Sequence, residues 1–205
     1  MARRASIKAS ASAPWREDAM ECVRVLRAGG IVACATDTIW GLACRADDPK
    51  ALARLATIKN RPEGKPFLLL LAQPNDAAKY AKDIAEAAWD LMEVPEADDR
   101  PMTVVLPRAK TDQLQPAVIG PEGTVAVRAV LNDYLQFIIR GVGAPLASTS
   151  PNRSDDPTPK GFRQIDKNVL AEVDYVGRWA RDGKWPQTSN IVGIDEFGRI
   201  DILRP

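Results

Sequence analysis

The longest apolar run in the chain, Phe67 to Ala72, has the length of a β-strand and falls far short of a membrane span. Apolar runs of similar size recur at Ile31 to Ala35, Met102 to Leu106 and Leu146 to Thr149, and Thr124 to Val130 alternates like a half-buried strand. Helical patterns lie between them. Glu17 to Ala28 carries Met20, Val23 and Leu26 at helical spacing and closes on Gly29-Gly30. Asp48 is placed to cap a helix with Pro49 at its first position and Leu52, Leu55 and Ile58 on one face. Further helical patterns cover Asn75 to Tyr80, Asp83 to Met92 and Asn132 to Arg140, the last expected to end at Gly141. The segment "NIVGIDEFGRIDIL" reads as a hairpin turning at Glu196 to Gly198. Strands and helices intermix, so the expected class is α/β.

A chain of 205 residues without an evident linker suits one domain, expected over residues 17–205 behind a flexible basic tail at residues 1–16. That tail, "MARRASIKASASAPWR", has no acidic residue, and its composition also resembles a short organellar transit peptide. It has no apolar core of a secretion signal. The three cysteines, Cys22, Cys34 and Cys44, show no CxxC spacing and read as buried reduced thiols of a cytoplasmic protein.

The sequence contains no histidine. This removes histidine-based triads, histidine-ligated zinc and a histidine general base. Any chemistry rests on Lys, Arg, Ser, Thr, Asn, Asp, backbone groups or a bound metal. The formal net charge is +1, which argues against a protein built to coat nucleic acid.

Against that neutral background, "IKNRPEGKPF" gathers Lys59, Arg61 and Lys65 between two apolar runs. Guanidinium and ammonium groups on a loop stiffened by Pro62 and Pro66 suit a small polyanion such as a nucleoside triphosphate; a solvated charge run is the alternative. Three other loops or strands can carry chemistry. "STSPN", Ser148 to Asn152, continues to Ser154 and Thr158 and offers hydroxyls and an amide at a strand exit, or is an ordinary turn. "ATDTIWGL" places Thr36, Asp37 and Thr38 between a strand and a core-like Trp40, or is a capped turn. In "GTVAVRAV", if Val125 and Val127 face the core, Thr124, Ala126 and Arg128 share the opposite face. Neither a GxxxxGK[ST] loop nor a Rossmann GxGxxG is present.

Taken in order, "LRAGGIVACATDTIWGLACRADDPKALARLATIKNRPEGKPF", "TVAVRAV", "APLASTSPNRSDDPTP", "TSNIVGID" and "ILRP" resemble the YrdC/Sua5 family, the threonylcarbamoyl-AMP synthases. The resemblance implies an open, twisted, mixed β-sheet flanked by helices, with a concave basic cleft. It implies that L-threonine, bicarbonate or CO2, and ATP give threonylcarbamoyl-AMP and diphosphate, with Mg²⁺ accompanying the nucleotide. Other proteins would then transfer the threonylcarbamoyl group to tRNA for the t6A modification.

Carried onto this sequence, the resemblance makes Lys59 and Arg61 the catalytic pair at the phosphates. Arg61, Lys65, Thr124, Ser150, Asn152, Thr158 and Arg204 match ATP-binding positions. Thr38, Arg128, Ser148 and Ser189 match positions that hold L-threonine. No metal ligand is assigned to the protein itself, and no membrane partner. The chain departs from the pattern at Ala35, at Pro151 and at Asp155-Asp156, where two carboxylates would repel a triphosphate unless Mg²⁺ or a lysine intervenes. "TSN" stands where Ser-Thr is usual. The alternatives are a YrdC-like module that binds double-stranded RNA and a paralogue without synthase activity. Retention of Lys59, Arg61, Ser150 and Asn152 argues against the second.

Overall fold

The computed structural model describes residues 13–93, 101–183 and 188–204. Residues 1–12 of the expected basic tail lie outside the described residues. The described residues begin before the expected boundary. Trp15 packs edge-on against Phe137 with ring centroids 5.7 Å apart, and the Arg16 guanidinium lies 5.0 Å above the same ring.

Among the described residues, five α-helices occupy Arg16–Arg27 (α1), Pro49–Lys59 (α2), Glu86–Glu93 (α3), Asp133–Val142 (α4) and Lys167–Ala171 (α5). Nine strands among the same residues occupy Val32–Cys34 (β1), Gly41–Arg45 (β2), Leu68–Leu71 (β3), Met102–Leu106 (β4), Val125–Ala129 (β5), Leu146–Thr149 (β6), Tyr175–Val176 (β7), Asn190–Ile194 (β8) and Ile200–Arg204 (β9). They form one mixed sheet in the order β7-β1-β2-β6-β3-β5-β4-β8-β9. The β1–β7, β3–β5 and β4–β8 pairs are parallel and the others antiparallel.

Local chemistry explains most of the boundaries. The Asp48 carboxylate accepts from the Lys50 and Ala51 amides at 2.9 and 3.1 Å and starts α2 at Pro49. Asn60 adopts a left-handed conformation, φ 47°, and stops the helix immediately after Lys59. The Asn132 side chain accepts from the Leu135 amide at 2.8 Å and caps α4.

Three details differ from the sequence expectation. In α1 the buried face is Ala19, Cys22, Val25 and Leu26, whereas Met20 is 56% exposed. The buried carboxylate of Asp18 is tied to the loop after β7, and this sets the rotation of the helix. Gly141 does not end α4. A side chain there would stand 2.8 Å from Val23 Cγ2, so this glycine allows α4 to lie close against α1, and Gly143, φ 78°, makes the turn. The residues after the TDT turn form a full strand, β2, inside the sheet between β1 and β6.

The two faces of the sheet are covered unequally. One face carries the larger core, in which Leu69, Leu71, Val104, Leu106, Val125, Val127, Val192 and Ile194 pack with residues of α2 and α3. On the other face, α1 and α4 cover β1, β2 and part of β3 through Cys22, Leu26, Val32, Ala43, Leu70, Leu135 and Ile138. The rest of that face, formed by the far ends of β6 and β3 and by β5, β4 and β8, has no helix over it among the described residues. Alternation along these strands therefore sends Ser148, Leu68, Ala126, Arg128, Thr103, Val105 and Ile191 into an open cleft.

Candidate functional site

The cleft has a volume of about 450 Å³, in the range of small-molecule sites. Leu68, Val105, Ala126 and Ile191 give it an apolar floor. Lys59, Arg61, Lys65, Arg128 and Arg204 also line it, with Asp156 as the single carboxylate among the lining residues. Asp155 is not part of the lining. Three hydrogen-bonded groups surround the floor.

The first group joins the end of α2 to the loop after β6. Lys59 is only 3% exposed. Its ammonium donates to the carbonyl oxygens of Ser150, at 2.9 Å, and Asn152, and approaches Ser150 Oγ and Asn152 Oδ1 at 3.4 Å. The Asn152 amide donates onward to the Arg153 and Asp156 carbonyls at 2.9 and 2.7 Å. Ser154 closes the loop by donating its N–H and its hydroxyl to the Lys59 carbonyl at 2.8 and 3.1 Å. Arg61 lies 4.3 Å above the ring of buried Phe67 and donates to the Lys65 carbonyl at 2.8 Å, to the Pro66 carbonyl and to Thr149 Oγ1 at 3.3 Å. Its fork is thus fixed in place, with donors left over on both terminal nitrogens.

The second group centres on Arg128, which is 5% exposed. Its Nη1 donates to Thr38 Oγ1 at 3.1 Å, while its buried Nε has no partner among the described residues. Thr38 is held in turn by Thr36, whose hydroxyl accepts from the Thr38 amide at 3.1 Å and donates to the Ile39 carbonyl at 2.6 Å. Asp37 is a cap: its carboxylate accepts from the Leu131 and Asn132 amides at 3.0 and 2.9 Å. In this loop Thr36 and Thr38 line the cleft, while Asp37 ties the loop to the segment that leads into α4. Gly41, at the start of β2, is needed here. A side chain would meet Ser148 Oγ and Thr36 Cγ2 at 3.2 Å.

The third group is Thr103, Ser189 and Arg204. The Thr103 and Ser189 hydroxyls are 2.8 Å apart, both buried. Arg204 Nη2 donates to the Ser189 carbonyl at 2.9 Å.

Of the residues expected at a site, Lys59, Arg61, Lys65, Ser150, Asn152, Thr158, Arg204, Thr38, Arg128, Ser148 and Ser189 all line this one cleft. Thr124 does not. Its hydroxyl donates to the Pro121 carbonyl at 3.0 Å and closes the Pro121–Gly123 turn instead. The alternation argument ran one residue too far: β5 starts at Val125, and Thr124 still belongs to the turn. Thr36 and Trp40, in the loop already singled out, line the cleft as well, and sequence reasoning missed Thr103. The signal for Thr103 was available in Met102 to Leu106, where Val104 and Leu106 reach the core and Thr103 and Val105 point the other way.

Electrostatics favour an anionic occupant. Burial first, then the nearby charges of Arg61 and Lys65, hold the Lys59 ammonium down at about 8, with Asp156 acting in the opposite sense. Burial brings Arg61 and Arg128 down to about 10, and lowers Arg204 as well. All three arginines stay charged at neutral pH. Each cation is thus costlier here than in water and gains from a bound negative charge. Among the described residues no group of three or more His, Cys, Asp or Glu could by itself hold a metal ion.

The sequence pattern of the Sua5/YciO/YrdC family, described as "Telomere recombination", matches residues 24–205. A threonylcarbamoyl-AMP synthase of Bos taurus is 29% identical over 200 residues, covering 93% of this chain and 68% of the relative. One of Stenotrophomonas maltophilia is 30% identical over 162 residues, covering 75% and 82%. The crystal structure of P. abyssi Sua5 complexed with L-threonine superposes with a TM-score of 0.76 at 24% identity, covering 93% of this chain and 54% of that one. With the match running through every element that lines the cleft, the chain belongs to the Sua5/YciO/YrdC family.

Proposed function

We propose that the protein is an L-threonylcarbamoyladenylate synthase, making threonylcarbamoyl-AMP and diphosphate from L-threonine, bicarbonate or CO2, and ATP. The observation that carries this reading is the pairing, in one cleft, of a buried Arg128 with an unpartnered Nε and the Lys59–Arg61 group around the loop after β6. The first suits an amino-acid carboxylate and the second a triphosphate. The relatives named threonylcarbamoyl-AMP synthase and the threonine complex of P. abyssi Sua5 support the same substrates.

In this reading Arg128, with Thr38 orienting it, takes the carboxylate of L-threonine, and the Ser148 and Ser189 hydroxyls bind beside it. The threonine nitrogen adds to the carbon of CO2 and loses a proton, giving a carbamate. A carbamate oxygen attacks the α-phosphorus of ATP, and the bond from that phosphorus to the bridging oxygen of diphosphate breaks. Lys59, Arg61 and Lys65 offset the charge that gathers on the leaving group, while Ser150, Asn152 and Thr158 position the phosphates. Lys59 donates to the Ser150 and Asn152 carbonyl oxygens, and this reading casts it as a donor at the phosphates.

Mg²⁺ fits as a passenger of the nucleotide. The ion prefers phosphate oxygens, waters and one or two carboxylates, and Asp156 is the carboxylate in the cleft. Bound to ATP it would supply charge neutralisation. With the ion bound to the nucleotide, Asp156 would be a compatible neighbour rather than a repulsive one. The product is a mixed anhydride, a reactive acyl donor, so the step that consumes it is acyl transfer to tRNA by a separate protein. The three buried thiols fit a reducing, cytoplasmic setting. Among the described residues no helix is long and apolar enough to cross a membrane.

The test is diphosphate release from ATP by the purified protein with Mg²⁺ and bicarbonate, with and without L-threonine, beside Lys59→Ala and Arg61→Ala. Threonine-dependent release that both substitutions abolish is expected. A folded protein that binds ATP and releases no diphosphate would refute the assignment.

A further inference from the structure

We propose that Thr103 is a positioning residue for L-threonine, acting through Ser189; this rests on the synthase reading above. Thr103 is 2% exposed on β4, on the face opposite Val104 and Leu106. Its hydroxyl lies 2.8 Å from that of Ser189, the residue just before β8, which pairs in parallel with β4. Both residues line the cleft.

The pair holds two protons for one shared hydrogen bond. Arg204 flanks Ser189 on its other side, with Nη2 on the carbonyl at 2.9 Å and 3.5 Å from Oγ. Arginine only donates, so it cannot take the Ser189 proton. When Thr103 donates to Ser189, the Ser189 hydrogen is left to point into the cleft at an acceptor on the ligand. The chain Thr103 to Ser189 to ligand oxygen runs in one direction, and each bond in such a chain polarises the next. Held between Thr103 and Arg204, the Ser189 hydroxyl is oriented before the substrate arrives.

The experiment compares Thr103→Val and Thr103→Ser with the wild type in steady-state diphosphate release, varying L-threonine and ATP separately, with a thermal melt of each full-length variant. Valine keeps the β-branched shape and removes the donor. Thr103→Val is expected to raise the KM for L-threonine about tenfold, the worth of one well-placed hydrogen bond. It should leave kcat and the KM for ATP within about twofold of wild type. Thr103→Ser, which restores the donor, is expected to restore the KM for L-threonine. A Thr103→Val enzyme with an unchanged KM for L-threonine overturns the inference while leaving the synthase assignment intact. So does one in which kcat and the melting temperature fall while both KM values rise together, since that marks a packing role. Wild-type protein without threonine-dependent release overturns the assignment on which the inference stands.

Discussion

The Lys59 ammonium donates to the Ser150 carbonyl at 2.9 Å across 91 residues of sequence, and so joins the last residue of α2 to the loop that leaves β6. Because Asn60 turns left-handed directly after it, Lys59 is both the end of a helix and the centre of the loop's carbonyl cage. Arg61, two residues on, is held by Phe67 and its own loop instead. The K-x-R spacing therefore serves two different supports.

This division predicts different consequences for the two cations. In Lys59→Met the loop at residues 150–156 loses its charged donor, and its amide hydrogens should exchange about tenfold faster, as expected for loss of a charge-assisted bond. In Arg61→Met the same amides should exchange at the wild-type rate while ATP binding weakens by about tenfold or more. Equal exchange in both variants would remove the organising role given to Lys59.

Protons should accompany nucleotide binding. Lys59 is held down at about 8, mainly by burial and then by Arg61 and Lys65. A folded-state value below the unfolded one means the unfolded chain binds more protons between about 8 and the ordinary lysine value of 10.5. In that window the group's contribution to the stability of the free protein rises with pH; below about 8 its burial cost is felt in full. A triphosphate restores the charged form. ATP binding near pH 8 should therefore take up protons, seen as a binding heat that depends on the ionisation enthalpy of the buffer in excess of that shown by Lys59→Met. Identical buffer dependence in the two proteins would contradict the linkage.

Arg128 sets function against stability. It is buried with one hydrogen bond to Thr38 and an orphaned Nε, and Asp37, the carboxylate that acts on it, is already engaged with two backbone amides. Replacing even a paired set of buried ionic groups by apolar side chains of similar volume is often neutral or stabilising by about 1–4 kcal/mol. Arg128 has no ion-pair partner within the described hydrogen bonds to lose. Arg128→Met should raise the melting temperature of the free protein by a few degrees and abolish L-threonine binding, with ATP affinity retained. Calorimetry on the free and threonine-saturated proteins checks both halves. A lower melting temperature would mean that Arg128 holds the fold together.

The sequence showed the elements whose signals are local. Asp48-Pro49, the alternation of Val125 and Val127, and the hairpin at Glu196 to Gly198 all lie where their own neighbours dictate. The cleft was legible as a set of residue types but not as a shape. Its existence depends on α1 and α4 covering only part of one sheet face, which no local pattern reports. The same limit explains Met20, Gly141 and Thr124. Each obeys a periodicity or punctuation rule, and each is overridden by a distant partner or by the end of an element: the loop after β7 for the rotation of α1, Val23 for Gly141, the Pro121 turn for Thr124.

That rotation of α1 yields the last prediction. The Asp18 carboxylate is 4% exposed and accepts from Tyr175 Oη at 2.5 Å, the Arg178 amide at 2.7 Å, Tyr134 Oη at 2.9 Å and the Trp179 amide at 3.0 Å. Burial alone would raise its pKa, but these four donors outweigh it, and the group titrates below the ordinary carboxylate value. A depressed folded-state value gives stability that is present above the ordinary value of 3.8 and is lost as pH falls through the folded-state value. Asp18→Asn keeps the shape, removes the charge and turns one acceptor oxygen into a donor facing donors. It should cost about 2–4 kcal/mol in denaturant-induced unfolding at pH 7 and flatten the acid limb of the stability profile below about pH 4. Asp18 is not among the cleft residues, so both KM values of the folded variant should stay within about twofold of wild type. An Asp18→Asn protein as stable as the wild type would show that the four hydrogen bonds accompany the docking of α1 without holding it.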